Sequence, residues 1–229
     1  VSLNSVFFGW ALLIGLVLSV FLPLFLGTEY SDGTIRNKII AGQRRHAIYV
    51  STLITTFLSA VLFCAAYMLA CVVVGVPLIG WLTVKTGVVL VSCLEAFIMT
   101  ASWCALFTAV FMNCSRKAAS AVSCMLLLLL LSIAALTVYQ MLDAPEFYPA
   151  YSLTADGQMT SIMEPNLAYL TEDQRPFYEF LLDLNPMGQA LQYVNLAPAR
   201  PLQMALCSLG LFAATTAAGA ALFGRKDLK

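Results

Sequence analysis

The chain has 229 residues, 61% of them hydrophobic and only 10% charged, and its mean hydropathy is +0.87. Soluble domains run nearer a quarter charged, so an ordinary soluble fold is excluded. The formal net charge of zero, twelve Lys and Arg against twelve Asp and Glu, excludes little as a total; where the charges fall is informative. Apolar runs of about twenty residues recur, each long enough to cross roughly 30 Å of hydrocarbon as a helix. Backbone polar groups at these lengths are satisfied in lipid only by helices. The sequence therefore predicts an all-α integral membrane protein, one transmembrane domain over 1–229, with five spans at about 5–26, 47–76, 86–112, 118–139 and 202–223.

The first run is too long for a signal-peptide core and has no basic segment before it. Pro23, near its end, is expected to bend or stop the helix. A polar island at 27–51 follows, carrying Arg36, Lys38, Arg44 and Arg45. Inside it, Asp32 or Ser31 is placed to cap a short helix whose apolar residues are Ile35, Ile39 and Ile40, read as sharing one side, and Gly42 suits its stop. The second run is longer than a bilayer needs, which predicts tilt or a start at the interface.

The third span holds Glu95, the one ionisable residue well inside an apolar run. At 1.5 Å per residue it lies roughly 13 Å from the start of the span. A charge at that depth costs on the order of 3 kcal/mol on insertion scales, so such an acid faces the protein interior or water. Ser92 and Ser102, at i−3 and i+7, share its face. Two readings stand: an acid on a substrate path or gate, or a protonated carboxyl hydrogen-bonded between helices.

The segment 140–200 holds eight of the twelve acids and six prolines. Tyr148, Tyr151, Tyr169, Tyr178 and Tyr193 suit an interfacial belt. Thr171 or Asp173 can cap an amphipathic helix with Phe177, Phe180, Leu181 and Leu184 on one face, lying flat on the membrane and ending before Asn185-Pro186. In the last span Gly210, Ala214 and Ala218, with Ala217 and Ala221 beside them, form a small-residue stripe suited to close packing within the chain or to a dimer seam.

Nine of the twelve basic residues fall in alternate loops: Arg36, Lys38, Arg44 and Arg45; Arg116 and Lys117; Arg225, Lys226 and Lys229. The positive-inside rule makes those loops and the C-terminus cytoplasmic and the 140–200 segment outer. An outer N-terminus without a signal sequence points to a preceding span, six in all. No phosphate-cradling GxxxxGK[ST] loop, HExxH or GxSxG is present, so neither ATP hydrolysis nor hydrolase chemistry is expected of this chain. His46, the single histidine, lies beside Arg44 and Arg45 at the cytoplasmic edge. Seven cysteines without a CxxC pair read as packing residues, with no metal site. Topology accounts for the basic residues, so nucleic acid is not an expected partner.

Two short stretches carry a resemblance: Glu29-Tyr30-Ser31-Asp32-Gly33-Thr34-Ile35-Arg36, followed by the turn at 42–45, and Asn185-Pro186-Met187-Gly188-Gln189 before the last span. In that order and topology the chain resembles the membrane-spanning permease subunit of a type-2 ABC transporter, the ABC-2 exporter family, apparently lacking its first span. Members carry a similar glutamate and a Gly-Thr-(Ile/Leu)-(Arg/Lys) step between their second and third spans, here Glu29 and Gly33-Thr34-Ile35-Arg36. The resemblance implies that the 27–46 loop holds a coupling helix seated in a groove of a separate ATPase subunit. It also implies ATP and Mg bound in that partner, a second permease copy or homologue, and a bacterial plasma membrane. Asp32, Lys38, Ile39 and Arg44 complete the docking surface on the reading of the residues themselves, while Glu95, Ser92 and Ser102 are the candidate path. The competing readings are an ion-coupled secondary carrier using Glu95 and a membrane anchor for an ATPase that does not itself transport.

Overall fold

The apolar runs fold as helices, as backbone in lipid requires. A computed structural model describes residues 3–114, 116–153, 159–167, 169–195 and 198–226; Lys229, one of the basic residues behind the sidedness argument, lies outside them. In chain order the helices are α1 (Asn4–Phe7), α2 (Gly9–Phe25), α3 (Thr28–Ser31), α4 (Thr34–Ile40) and α5 (Arg45–Ala70), then α6 (Val76–Ile79), α7 (Thr86–Asn113) and α8 (Lys117–Asp143). A hairpin of β1 (Phe147–Leu153) and β2 (Met159–Pro165) follows, and then α9 (Arg175–Leu184), α10 (Pro186–Val194) and α11 (Pro201–Arg225).

Four helical segments are long and apolar enough to cross a membrane: Arg45–Ile79, α7, α8 and α11. The expected first span is broken at Phe8, leaving α2 with 17 residues, short of the roughly 20 a perpendicular span needs. Among the described residues four helical segments thus meet the length, with α2 a shorter apolar helix beside them, and the count of five is not confirmed. Pro23 stays inside α2, two residues before its end. The 35-residue Arg45–Ile79 segment exceeds a bilayer, as expected, and contains a π-helical turn at Cys71–Gly75. Pro77 lies just beyond that turn and offers no N–H to the Val73 carbonyl, a cause for the widened ladder.

α7 is the central helix: 56% of its apolar window is buried, against 17% or less in the other three spanning segments. Trp10, Ile14 and Leu18 of α2 pack against Met99, Trp103 and Phe107 of α7, with Leu53 and Cys64 of α5 and Ala190 of α10 in the same core. The outward faces of α5, α8 and α11 carry exposed leucine, isoleucine and valine, an arrangement suited to lipid rather than water. The protein is a multi-pass membrane protein. Several interior hydroxyls are satisfied locally, as where Thr52, Thr56 and Thr100 each donate to the carbonyl four residues back.

α7 and α11 approach closely at Gly219. A Cβ there would lie 2.3 Å from the Tyr49 hydroxyl and 2.8 Å from the Ala109 Cβ, and Asn113 Nδ2 donates to the Gly219 carbonyl at 3.3 Å. The stripe of Gly210, Ala214 and Ala218, with Ala217 and Ala221, is exposed instead. The expectation that it packs within the chain is therefore corrected: the buried face of α11 runs through Met204, Ser208, Gly219 and Phe223.

The fold is helical as expected, and a two-stranded hairpin is added to it that the sequence reading does not include. β1 and β2 pair antiparallel with Phe147 opposite Pro165 and Leu153 opposite Met159. Both strands are edges, which tolerates Pro149 within one and Pro165 at the end of the other. Asn166 closes the base, its N–H donating to the Glu146 carbonyl at 2.9 Å and its side chain to Pro145 at 3.0 Å.

Candidate functional site

The sequence-predicted docking residues lie on α3, α4 and the turn into α5, at the basic end of the bundle. Gly33 joins the two short helices in a left-handed conformation, φ 69°, at the N-cap of α4. Glycine adopts that conformation without the strain a Cβ brings, which gives the Gly33-Thr34 step a backbone reason. The capping expectation is corrected here: Gly33 itself takes the cap position and no side-chain cap bond forms. Gly42, φ 87°, turns the chain after α4, as expected.

α4 is fastened to the spans from beneath. Ile35 is only 2% exposed and packs with Leu22 of α2 and Leu26 just beyond it, Ile48 and Tyr49 of α5, Phe111 and Met112 of α7 and Phe223 of α11, with Ile39 at the edge of the same cluster. Lys38 Nζ donates to Glu29 Oε2 at 2.8 Å, clamping α4 to α3. Both side chains are a third exposed, so the pair contributes at most about 1 kcal/mol. Ile35, Ile39, Lys38 and Glu29 therefore hold the helix in place, and Ile35 is inaccessible to any partner.

What α4 offers outward is Arg36, Asn37 and Ile40, with Asp32 before it and Gln43 and Arg44 after it. Thr34, at the first turn, is half-buried. Ile40 is 74% exposed, an apolar residue one turn beyond Arg36. The sequence-based grouping put Ile40 with Ile35. At 100° per residue it lies about 140° away around the helix, and that arithmetic would have separated them.

The same end of the bundle is stapled by basic side chains on helix carbonyls. Lys226 Nζ donates to the Met112 and Cys114 carbonyls at 3.0 and 2.9 Å, at the end of α7. Arg45 Nη1 donates to the Gly224 carbonyl at 3.1 Å and to that of Lys226, at the end of α11. Cations suit helix C-termini, whose last carbonyls lack intrahelical partners. Burial lowers the Lys226 ammonium below the ordinary lysine value. Part of the basic count behind the sidedness argument thus has a second, structural use.

Glu95 is 7% exposed on α7, and Ser92 and Ser102 are buried on the same helix. Ser102 donates to the Met99 carbonyl at 2.6 Å. Among the described residues Glu95 Oε2 finds no hydrogen-bond partner, and neither does the buried hydroxyl of Tyr193 on α10. The alternative of a Glu95 held by hydrogen bonds between helices is therefore not what the structure contains.

The second quoted stretch is a structural node at the opposite, hairpin end. Asn185 caps α10, accepting from the Met187 N–H at 2.9 Å and donating to the Leu131 carbonyl of α8 at 2.8 Å. Pro186 opens the helix, where its missing N–H is harmless. Gly188 allows close approach to α9, since a Cβ would lie 2.3 Å from the Leu182 carbonyl oxygen. Gln189 is fully buried: Nε2 donates to the Asp183 and Met204 carbonyls at 2.5 and 3.0 Å, and Oε1 accepts from Ser208 at 2.8 Å. Neither α10 nor this polar node is among the sequence-based expectations. α9 ends before Asn185 as expected and leaves Phe177, Phe180 and Leu184 exposed, but its cap position is Gln174 and no side-chain cap bond forms, from Thr171 or Asp173 or otherwise.

Fold and site together define a helical multi-pass membrane protein that carries, at its basic end, a short surface helix fastened to the ends of its long helices. Comparison with protein-family models, with curated proteins and with solved structures finds no match for the chain.

Proposed function

We propose that this chain is the permease subunit of an ATP-driven exporter of the ABC-2 type, docked through α4 onto a separate ATPase subunit that holds ATP and Mg. One observation carries the reading: α4 is buried on one side among residues from α2, α5, α7 and α11 and bare on the other. A push on its outer face reaches four helices at once, without a flexible loop to absorb it. Rigid-body movement at the ATPase would be transmitted in this way. The outer face combines one large apolar residue with Arg36 and Arg44, a mixture typical of interface anchors. In this reading the basic end is cytoplasmic, the hairpin end is outside, and a second permease copy or homologue completes the path across a plasma membrane. Amphipathic or peptide cargo suits walls with so little buried charge.

The test is disulfide or bifunctional crosslinking through Ile40→Cys in a chain cleared of its native cysteines, followed by sequencing of the captured protein. The expected capture is a protein bearing a GxxxxGK[ST] loop. A cysteine that labels freely with a small thiol reagent in cells yet captures no such protein would remove the docking role.

A second reading has its own observation, the buried and unpartnered Glu95 Oε2. In an ion-coupled carrier that carboxyl would take up and release the coupling proton. Glu95→Gln should then abolish transport and its dependence on external pH. In the ATP-driven reading the same variant keeps ATP-dependent transport within a few fold, a surface-independent interior change without charge. Transport measured in vesicles with and without ATP separates the two.

A further inference from the structure

Where α8 ends and α11 begins, a surface cavity of about 220 Å³ opens between α8, α9, α10 and the 199–200 turn. Its volume falls below the roughly 300 Å³ at which pockets for drug-sized molecules start, so it suits a small polar group rather than a cargo molecule. Its floor is already satisfied. Asp183 accepts from Gln192 Nε2 at 2.9 Å and from Arg200 Nε at 3.2 Å, and Arg200 Nη1 also donates to Glu179 at 2.6 Å.

The walls keep free bonding capacity toward the space and the solvent. Asp143, in the last residue of α8, has no hydrogen-bond or ion-pair partner among the described residues. Arg175, across the cavity on α9, donates Nη2 to the Leu142 carbonyl at 3.2 Å and lies over the Tyr169 ring at 5.7 Å, with its other donors unspent. No ion pair joins Asp143 to Arg175, although both line the same space. The Tyr139 hydroxyl accepts from Asn195 at 3.2 Å and keeps its own proton to donate.

We propose that this cavity binds a zwitterionic phosphoethanolamine group, its ammonium on Asp143 and its phosphate on Arg175 and Tyr139. A group carrying both signs a few bonds apart is the ligand that satisfies two opposite charges held apart across one space. Guanidinium and phenol donors match a phosphate with several acceptor oxygens. Depth selects the same chemistry: the cavity lies level with the ends of two membrane-spanning segments, Lys117–Asp143 and Pro201–Arg225, where lipid headgroups sit. The exposed Phe177, Phe180 and Leu184 of α9 lie beside it, as an interfacial helix would place them. The inference rests on the multi-pass membrane reading alone and stands whether or not the chain is an exporter.

Native mass spectrometry of the full chain, released from detergent with phosphatidylethanolamine or phosphatidylglycerol of matched acyl chains, tests it. Phosphatidylethanolamine should be retained about tenfold more, the worth of one charge-assisted hydrogen bond. Asp143→Asn and Arg175→Gln should each erase that preference while the melting temperature of Asp143→Asn, an exposed position, stays unchanged. Displacement by soluble glycerophosphoethanolamine would show that the headgroup alone suffices; resistance to it would assign the site to the lipid, chains included, and either result keeps the site. Equal retention of the two lipids, or a preference that survives Asp143→Asn, overturns the proposal.

Discussion

Substituting Ile40 by aspartate should weaken the proposed association with an ATPase subunit by about ten- to thirtyfold, the loss of a central apolar anchor worth roughly 2 kcal/mol. The same substitution should leave the melting temperature of the chain where it was, because an exposed position outside any network changes stability by no more than about 0.5 kcal/mol. Ile35→Ala on the same short helix should do the reverse. It removes a buried side chain from the cluster shared by α2, α5, α7 and α11 and costs about 2–5 kcal/mol. Partner affinity, measured on the fraction that remains folded, should hold. Arg36→Glu, one turn from Ile40 on the exposed face, should behave like Ile40→Asp with a stronger dependence on salt. The contrast between two isoleucines five residues apart is what separates a docking helix from a loop that merely carries positive charge. Equal effects of both on stability, or wild-type affinity in Ile40→Asp, would leave α4 without a docking role.

The long helices were legible because hydropathy over twenty residues is a one-dimensional signal, and a span needs little else. Facing within a short helix was harder. Ile35, Ile39 and Ile40 look alike in sequence, and only their angular spacing, combined with the fact that α4 lies against the span ends, tells anchor from bait. The hairpin was hidden by its prolines. Pro149 and Pro165 read as breakers, yet in a two-stranded ribbon every residue lies on an edge and half of the N–H groups point to solvent. α10 was hidden the same way, since Pro186 was read as the end of α9 when Asn185-Pro186 is equally an N-cap followed by N1. Glu95 was legible by depth alone, whereas its lack of a partner depends on what α10 brings beside α7.

At the hairpin end, Asp183→Ala should destabilise the chain by about 3 kcal/mol, measured as the unfolding midpoint in detergent. Asp183 is 1% exposed and its two oxygens take donors from Gln192 of α10 and from Arg200 at the start of α11. Removing it strands the Gln192 amide and leaves Arg200 with Glu179 as its remaining acid. The general penalty for breaking a buried charged pair is about 3–5 kcal/mol, and the lower end applies because the Arg200 side chain is 32% exposed and partly rehydrates. Asp183→Asn should cost less, since the amide oxygen still accepts one bond while the other position meets Arg200 with a donor. Gln189→Leu takes the side-chain partner from the Ser208 hydroxyl and from the Asp183 carbonyl in a site sealed from water and should cost about 1–3 kcal/mol. Because Gln189 bonds the Asp183 backbone carbonyl at the end of α9, loosening that end in one variant should lessen the cost of the other, and the double variant should cost less than the sum of the singles. Sum-like costs would mean that the bonds are independent, and that α9, α10 and α11 are not held as one unit.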